Sequence, residues 1–115
     1  MHFKLMNLFG AYRFHFNDEG QLQSGVERVF AENNLEAVRE CKLSPGDRVD
    51  FFCGGVGVEC KVGGSLSEVT RQLHRYAELP EVASLILITS RAKHLGVARE
   101  MCGKRVDVHF LRGGF

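Results

Sequence analysis

The chain has 115 residues, 44% hydrophobic and 25% charged, and a net charge of +1. That length builds one compact core and excludes a pair of domains, so residues 1–115 are expected to form a single domain. No apolar run approaches the roughly 20 residues of a membrane span and the N-terminus lacks the shape of a signal peptide, so a membrane partner is excluded and a cytoplasmic location is expected.

Taken in chain order, residues 3–9 and 12–17 read as two strands of an N-terminal β-hairpin occupying residues 1–20. The second shows period-2 alternation in Tyr12, Phe14 and Phe16 and stops at the turn sequence Asn17-Asp18-Glu19-Gly20. A helix follows, with Leu22, Val26, Val29 and Phe30 on one face and Asn33-Asn34 at its end. A strand around residues 35–41 leads through Ser44-Pro45-Gly46-Asp47 into the segment Arg48–Val62. Ser65 and Glu68 form a capping-box pattern for a second helix, with Leu66, Val69, Leu73 and Tyr76 or Ala77 inward and Pro80 beyond its end. Ser84-Leu85-Ile86-Leu87-Ile88-Thr89 is a continuous apolar run of strand length, expected to be buried on both faces. A third helix over residues 91–102, stopped by Gly103, and a last strand over 106–111 complete the reading.

The segment Arg48–Val62 carries the chemistry. Gly54-Gly55 predicts a two-residue hairpin turn, because only glycine takes positive φ at both positions without strain. That turn fixes a register in which Cys53 faces Val56, Phe51 faces Val58 and Asp50 faces Glu59, with Lys61 on the same side. Like charges set opposite each other repel, so a cation between Asp50 and Glu59 is the natural complement. Oxygen ligands favour Mg²⁺ or Mn²⁺, and the absence of a nearby His or Cys pair argues against zinc. The alternative is a solvated pair of carboxylates neutralised by Arg48 and Lys61.

Charge is unevenly distributed. Residues 1–50 carry six Lys/Arg and eight Asp/Glu, a net of −2, whereas residues 51–115 carry nine and six, a net of +3. Arg71, Arg75, Arg91 and Lys93 lie in the basic half and are candidates for nucleic-acid contact, and exposed helices are often decorated in the same way. His74 and His94 are placed outside the active site, because a lone His on a basic helix is usually exposed. Cys41, Cys53, Cys60 and Cys102 show no CxxC spacing, so reduced thiols are expected rather than a disulfide or zinc cluster.

The order αβββαβ from residue 21, with Asp50 on the second strand and Glu59-Cys60-Lys61 on the third, resembles the core of the PD-(D/E)XK nuclease superfamily. The similarity covers residues 21–90. Gln72-Leu73-His74-Arg75-Tyr76 looks like the Gln-x-x-x-Tyr motif of the branch that includes lambda-exonuclease-like and RecB-type nucleases. Val49, rather than proline, precedes Asp50, which departs from the family pattern.

The resemblance implies an α/β, restriction-endonuclease-like αβββαβ core, a mixed central sheet flanked by helices, to which the N-terminal hairpin and a C-terminal helix and strand (91–115) are added. It implies a metal-dependent deoxyribonuclease, structure- or end-directed, in which Asp50, Glu59 and the backbone carbonyl of Cys60 bind Mg²⁺ or Mn²⁺. Lys61 would orient or deprotonate the attacking water, and Gln72 and Tyr76 would hold the site and a phosphate. The family often carries a Glu near the metal on its first core helix; Glu27 is the candidate, although Ser24-Gly25-Val26-Glu27 also fits a capping box. By analogy with small phage-encoded nucleases and Holliday-junction resolvases, a homo-oligomer acting on DNA is expected, in the host cytoplasm were it phage-encoded. A Holliday-junction resolvase and a non-catalytic DNA-binding protein retaining the nuclease fold are the competing readings.

Overall fold

The computed structural model describes residues 1–112. Two helices lead, α1 (His2–Ala11) and α2 (Glu19–Glu32). Three strands follow, β1 (Val38–Ser44), β2 (Asp47–Cys53) and β3 (Val56–Lys61). Helix α3 (Leu66–Ala77) then leads to β4 (Ser84–Thr89), a 3₁₀ turn at Ala92–Gly96, β5 (Glu100–Met101) and β6 (Lys104–Phe110). The six strands form one mixed sheet in the order β1-β2-β3-β4-β6-β5. Strand β2 runs antiparallel to β1 and β3, β3, β4 and β6 run parallel, and β5 is antiparallel to β6. Among the described residues no helix is long and apolar enough to cross a membrane.

Both faces of the sheet are covered. Leu5 and Phe9 of α1 and Leu22, Val26, Val29 and Phe30 of α2 pack with Phe51, Val58, Ile86 and Ile88 on one face. Val69, Leu73, Tyr76 and Ala77 of α3 pack with Leu85, Leu87 and Val106 on the other. Strand β4 is therefore buried over all six of its residues, as a continuous apolar run predicts. Gly57 permits the close stacking here, since a Cβ at that position would meet Leu85 at 2.9 Å.

The element order from α2 to β4 agrees with the sequence reading, and so do the stripe on α2 and the Ser65 cap, whose hydroxyl accepts from the Glu68 N–H at 3.1 Å. The ends of the chain differ. The expected strand over 3–9 is helix α1, because His2, Leu5 and Phe9 recur at helical spacing and are buried together. Residues 12–17 are outside regular structure; Phe14 is buried and Tyr12 and Phe16 pack against the same core, without a strand beside them to pair with. The expected helix over 91–102 is only a 3₁₀ turn, since its segment holds no apolar stripe. The chain then extends to Val97 and Met101, which are buried with α3, and turns at Cys102-Gly103 (φ 52 and 74) into β6.

Candidate active site

The Gly54-Gly55 turn (φ 54 and 82) pairs Cys53 with Val56 and Phe51 with Val58, the register expected from the sequence. The ladder between β2 and β3 stops there. The Asp50 N–H donates to Glu59 Oε1 at 3.0 Å, and the Cys60 N–H donates to Asp50 Oδ2 at 2.8 Å. Side-chain oxygens thus take over the role of ladder carbonyls, and the strands part around the two carboxylates. Lys61 Nζ lies 3.5 Å from Glu59 Oε2, so Asp50, Glu59 and Lys61 converge.

A break in β2 positions Asp50. Val49 and Phe51, two apart, pack on opposite faces of the sheet, so the strand's alternation fails at the residue between them. The pairing with β1 skips the same point: Arg39 pairs with Phe51 and Cys41 with Val49, while Glu40, opposite Asp50, has φ 50. No residue is inserted here, since the register is the same on either side of Glu40 and Asp50, so the irregularity is a local twist of the paired strands; the register shift of this pair lies between Lys42 and Ser44.

Helix α3 closes the site from one side. The Tyr76 hydroxyl donates to the Arg48 carbonyl at 2.7 Å and lies 3.4 Å from Glu59 Oε2, and Gln72 Nε2 donates to the Tyr76 oxygen at 3.0 Å. Burial, with the nearby Glu59 and Asp50 carboxylates, pushes the phenol well above its usual range and keeps it a donor. Gln72 and Tyr76 therefore act here as a brace that ties α3 to β2.

Helix α2 closes the other side, through residues the sequence reading passed over. Its N-cap is Asp18, whose carboxylate accepts from the Gln21 N–H at 2.7 Å while Gln21 Oε1 accepts from the Asn17 N–H at 2.9 Å. Glu19 thus stands in the first helical turn, half-buried and near enough to Lys61 and Asp50 for their charges to act on its carboxyl, and Gln23, one turn on, lies near Asp50. Glu27 is elsewhere. It pairs with Arg39 at 3.1 Å on the surface, in the middle of α2 rather than in a cap. The signal for Glu19 was the Asp18-x-x-Gln21 pattern, which marks a helix start.

Three carboxyls share this region. Burial foremost, then the Asp50 charge, pushes Glu59 (2% exposed) well above the usual carboxylate range against the pull of Lys61. Asp50 and Glu19 are likewise raised, chiefly by burial. Among the described residues no three His, Cys, Asp or Glu side chains are close enough to hold a metal by themselves. A hard cation would draw on Asp50, Glu59 and backbone oxygen. The Cys60 carbonyl suits this, because N–H and C=O of one strand residue point the same way and the Cys60 N–H already faces Asp50. The Cys60 thiol is buried on the opposite face, where burial raises its pKa and leaves it inert.

A cleft of about 350 Å³ opens beside Lys61, walled by Gly63, Gly64, Arg71, Gln72 and Arg75. Arg71 is exposed; Arg75 Nε pairs with Asp47 Oδ1 at 3.1 Å. Arg91 donates to the Val62 carbonyl at 2.9 Å, next to Lys61, whereas Lys93 is exposed and is not among the described residues that line the cleft. His94 corrects the expectation of an exposed side chain. It is fully buried, bonded to Thr89 Oγ1 at 2.6 Å and to the Gly64 carbonyl at 2.9 Å, and so pins the glycine loop that forms the cleft wall. His74 is exposed beside Glu78, as expected. All four cysteines are free thiols, Cys102 being the exposed one.

If a phosphate backbone lies in this cleft, the two arginines contribute unequally. Arg71→Ala is expected to flatten the slope of log K against log salt by about one unit, and Arg75→Ala by less, because Asp47 already neutralises part of its charge. Fluorescence anisotropy with labelled DNA in Ca²⁺, across a salt series, checks this. Equal slopes for both variants and the unmodified protein would mean that the strand approaches from another direction.

No family model, curated protein or solved structure matches the chain.

Proposed function

We propose that the protein is a Mg²⁺-dependent deoxyribonuclease of the PD-(D/E)XK type, structure- or end-directed, that hydrolyses phosphodiester bonds. The observation that carries this reading is the parting of β2 and β3 around Asp50 and Glu59, with Lys61 3.5 Å from Glu59. Surface ion pairs do not interrupt a ladder, and a buried Glu59 beside a half-buried Asp50, facing one lysine, leaves negative charge that costs several kcal/mol unless a cation offsets it. The sequence motif supports the same reading, since Asp50, Glu59-Cys60-Lys61 and Gln72-x-x-x-Tyr76 occur in the family's order.

Asp50, Glu59 and the Cys60 carbonyl would hold the ion, which when bound supplies an activated water and neutralises charge on the phosphate. Lys61 stands where a cation can orient that water and stabilise the charge growing on the phosphate oxygens. The Cys60 N–H holds the Asp50 carboxylate in place, and Tyr76 braces β2 beside Glu59. Glu19 stands near enough to Lys61 for their charges to interact, and would serve as a positioning residue for the lysine. Glu19→Ala is expected to lower kcat about 10–100-fold, the range for second-layer partners of a metal site. Glu27→Ala should leave cleavage unchanged.

The test is a digestion panel in Mg²⁺ or Mn²⁺ covering single-stranded, duplex, nicked, flapped and four-way DNA. Metal-dependent cleavage of at least one form, abolished by EDTA, is the expected result. Tight binding with no cleavage of any form would transfer the protein to the class of non-catalytic DNA-binding modules, and selective cutting of the four-way form would identify a resolvase.

A further inference from the structure

Resting on the nuclease reading, we infer that the DNA it acts on is held as a single strand, in an aromatic and basic groove beside the catalytic edge. The parallel strands end in one row: Lys61 on β3 pairs with Thr89 on β4, and Thr89 pairs with Phe110 on β6. Two strand spacings, about 10 Å, therefore separate the candidate lysine from Phe110 along the carboxyl edge of the sheet. Ligands of open α/β sheets bind outside that edge.

At Phe110 the edge opens into a groove of about 610 Å³, bounded on one side by residues 12–17 and on the other by residues 109–112. Its lining includes Arg13, His15, Phe16, His109, Phe110 and Arg112, and no acidic residue among the described ones. Phe16 and Phe110 are only half-buried, and Arg13 and Arg112 are exposed, with neither in an ion pair among the described residues. The groove is also continuous with the active site in the chain, since its wall ends at Asn17 and Glu19 follows two residues later.

This composition fits one class of ligand. Half-buried aromatic rings interleaved with exposed cations match a flexible strand that offers a base and a phosphate at each step, because base–aromatic stacking is tolerant of sequence and phosphates need only a positive charge. A paired duplex keeps its bases stacked on each other and presents phosphates alone, so it gains nothing from Phe110. The groove thus selects single-stranded or frayed DNA and feeds it along the edge toward Asp50 and Glu59.

The test measures binding of fluorescein-labelled (dT)₁₂ and of a 12-base-pair duplex in Ca²⁺, using the full chain. Phe110→Leu keeps apolar bulk and removes the ring; it should weaken (dT)₁₂ binding about tenfold and leave duplex binding unchanged. Arg13→Gln with Arg112→Gln, both at exposed positions that tolerate the change, should flatten the single-strand salt slope by about 1.4 units. Unchanged single-strand affinity and slope in these variants, or an equal loss for duplex, would overturn the inference. The two readings fail separately. Cleavage that is metal-dependent but indifferent to these substitutions leaves the nuclease reading standing and removes the groove. Single-strand binding that depends on Phe110, without cleavage of any DNA, does the reverse.

Discussion

Asp50→Asn is expected to lower DNA cleavage by at least about a thousandfold, equivalent to about 4 kcal/mol of transition-state stabilisation. Asparagine is the informative substitution because its side-chain oxygen can still accept the Cys60 N–H that Asp50 accepts at 2.8 Å, so the parted strands keep their geometry while the negative ligand is lost. Glu59→Ala should be equally inactive, and DNA affinity in Ca²⁺ should change far less than the rate, since on the proposed reading phosphate contacts would come from Lys61, Arg71 and Arg91 rather than from the carboxylates. Steady-state cleavage of end-labelled DNA, with circular dichroism to verify folding, makes the measurement. An Asp50→Asn protein that cleaves within a few-fold of the unmodified one would remove Asp50 from the chemistry.

Glu59→Gln is expected to raise the stability of the metal-free protein at pH 8, by about 1–3 kcal/mol, while abolishing activity. Glu59 is almost wholly buried and faces Asp50, and both effects raise its folded-state pKa above the ordinary 4.5. A group that holds its proton more tightly in the folded state contributes its full stability below the unfolded pKa and loses it as pH rises through the folded value. In EDTA, the Tm of the unmodified protein should therefore fall as pH rises from about 5 toward 8, and the glutamine variant should show a flatter profile and a higher Tm at the alkaline end. Its amide oxygen can still accept the Asp50 N–H. Mg²⁺ should raise the Tm of the unmodified protein and not of the variant, because on the proposed reading only a folded site with both carboxylates would bind it. A variant that melts below the unmodified protein at pH 8 in EDTA would mean that the ionised carboxylate is a structural anchor.

What the sequence made legible was whatever rested on strongly local constraints. Gly54-Gly55 determined the turn and the turn determined the register as far as Phe51 and Val58, one step short of the expected pairing of Asp50 with Glu59, which meet instead through backbone-to-carboxylate hydrogen bonds. Helix α3 was equally readable, because the Ser65 cap, the stripe from Val69 to Ala77 and Pro80 all agree. Residues whose conformation depends on distant partners were misread. The alternation Tyr12, Phe14, Phe16 is real, but no strand lies beside it, and the same aromatic side chains serve as packing for α1 and α2. His94 resembled a surface histidine until Thr89 and the Gly64 carbonyl enclosed it. Glu19 was overlooked because Asn17-Asp18-Glu19-Gly20 reads as a turn, whereas Asp18 opens a helix. The break at Asp50 had no local marker, since Glu40 adopts its positive φ without glycine.

The most direct test of the central claim is anomalous diffraction from crystals of the protein soaked in Mn²⁺. The account predicts a peak between the Asp50 and Glu59 carboxylates, about 2.1–2.2 Å from an oxygen of each and within coordination distance of the Cys60 carbonyl, and absent in Asp50→Asn. No peak at that position, at a Mn²⁺ concentration that supports cleavage in solution, or a peak held by other residues, would contradict it.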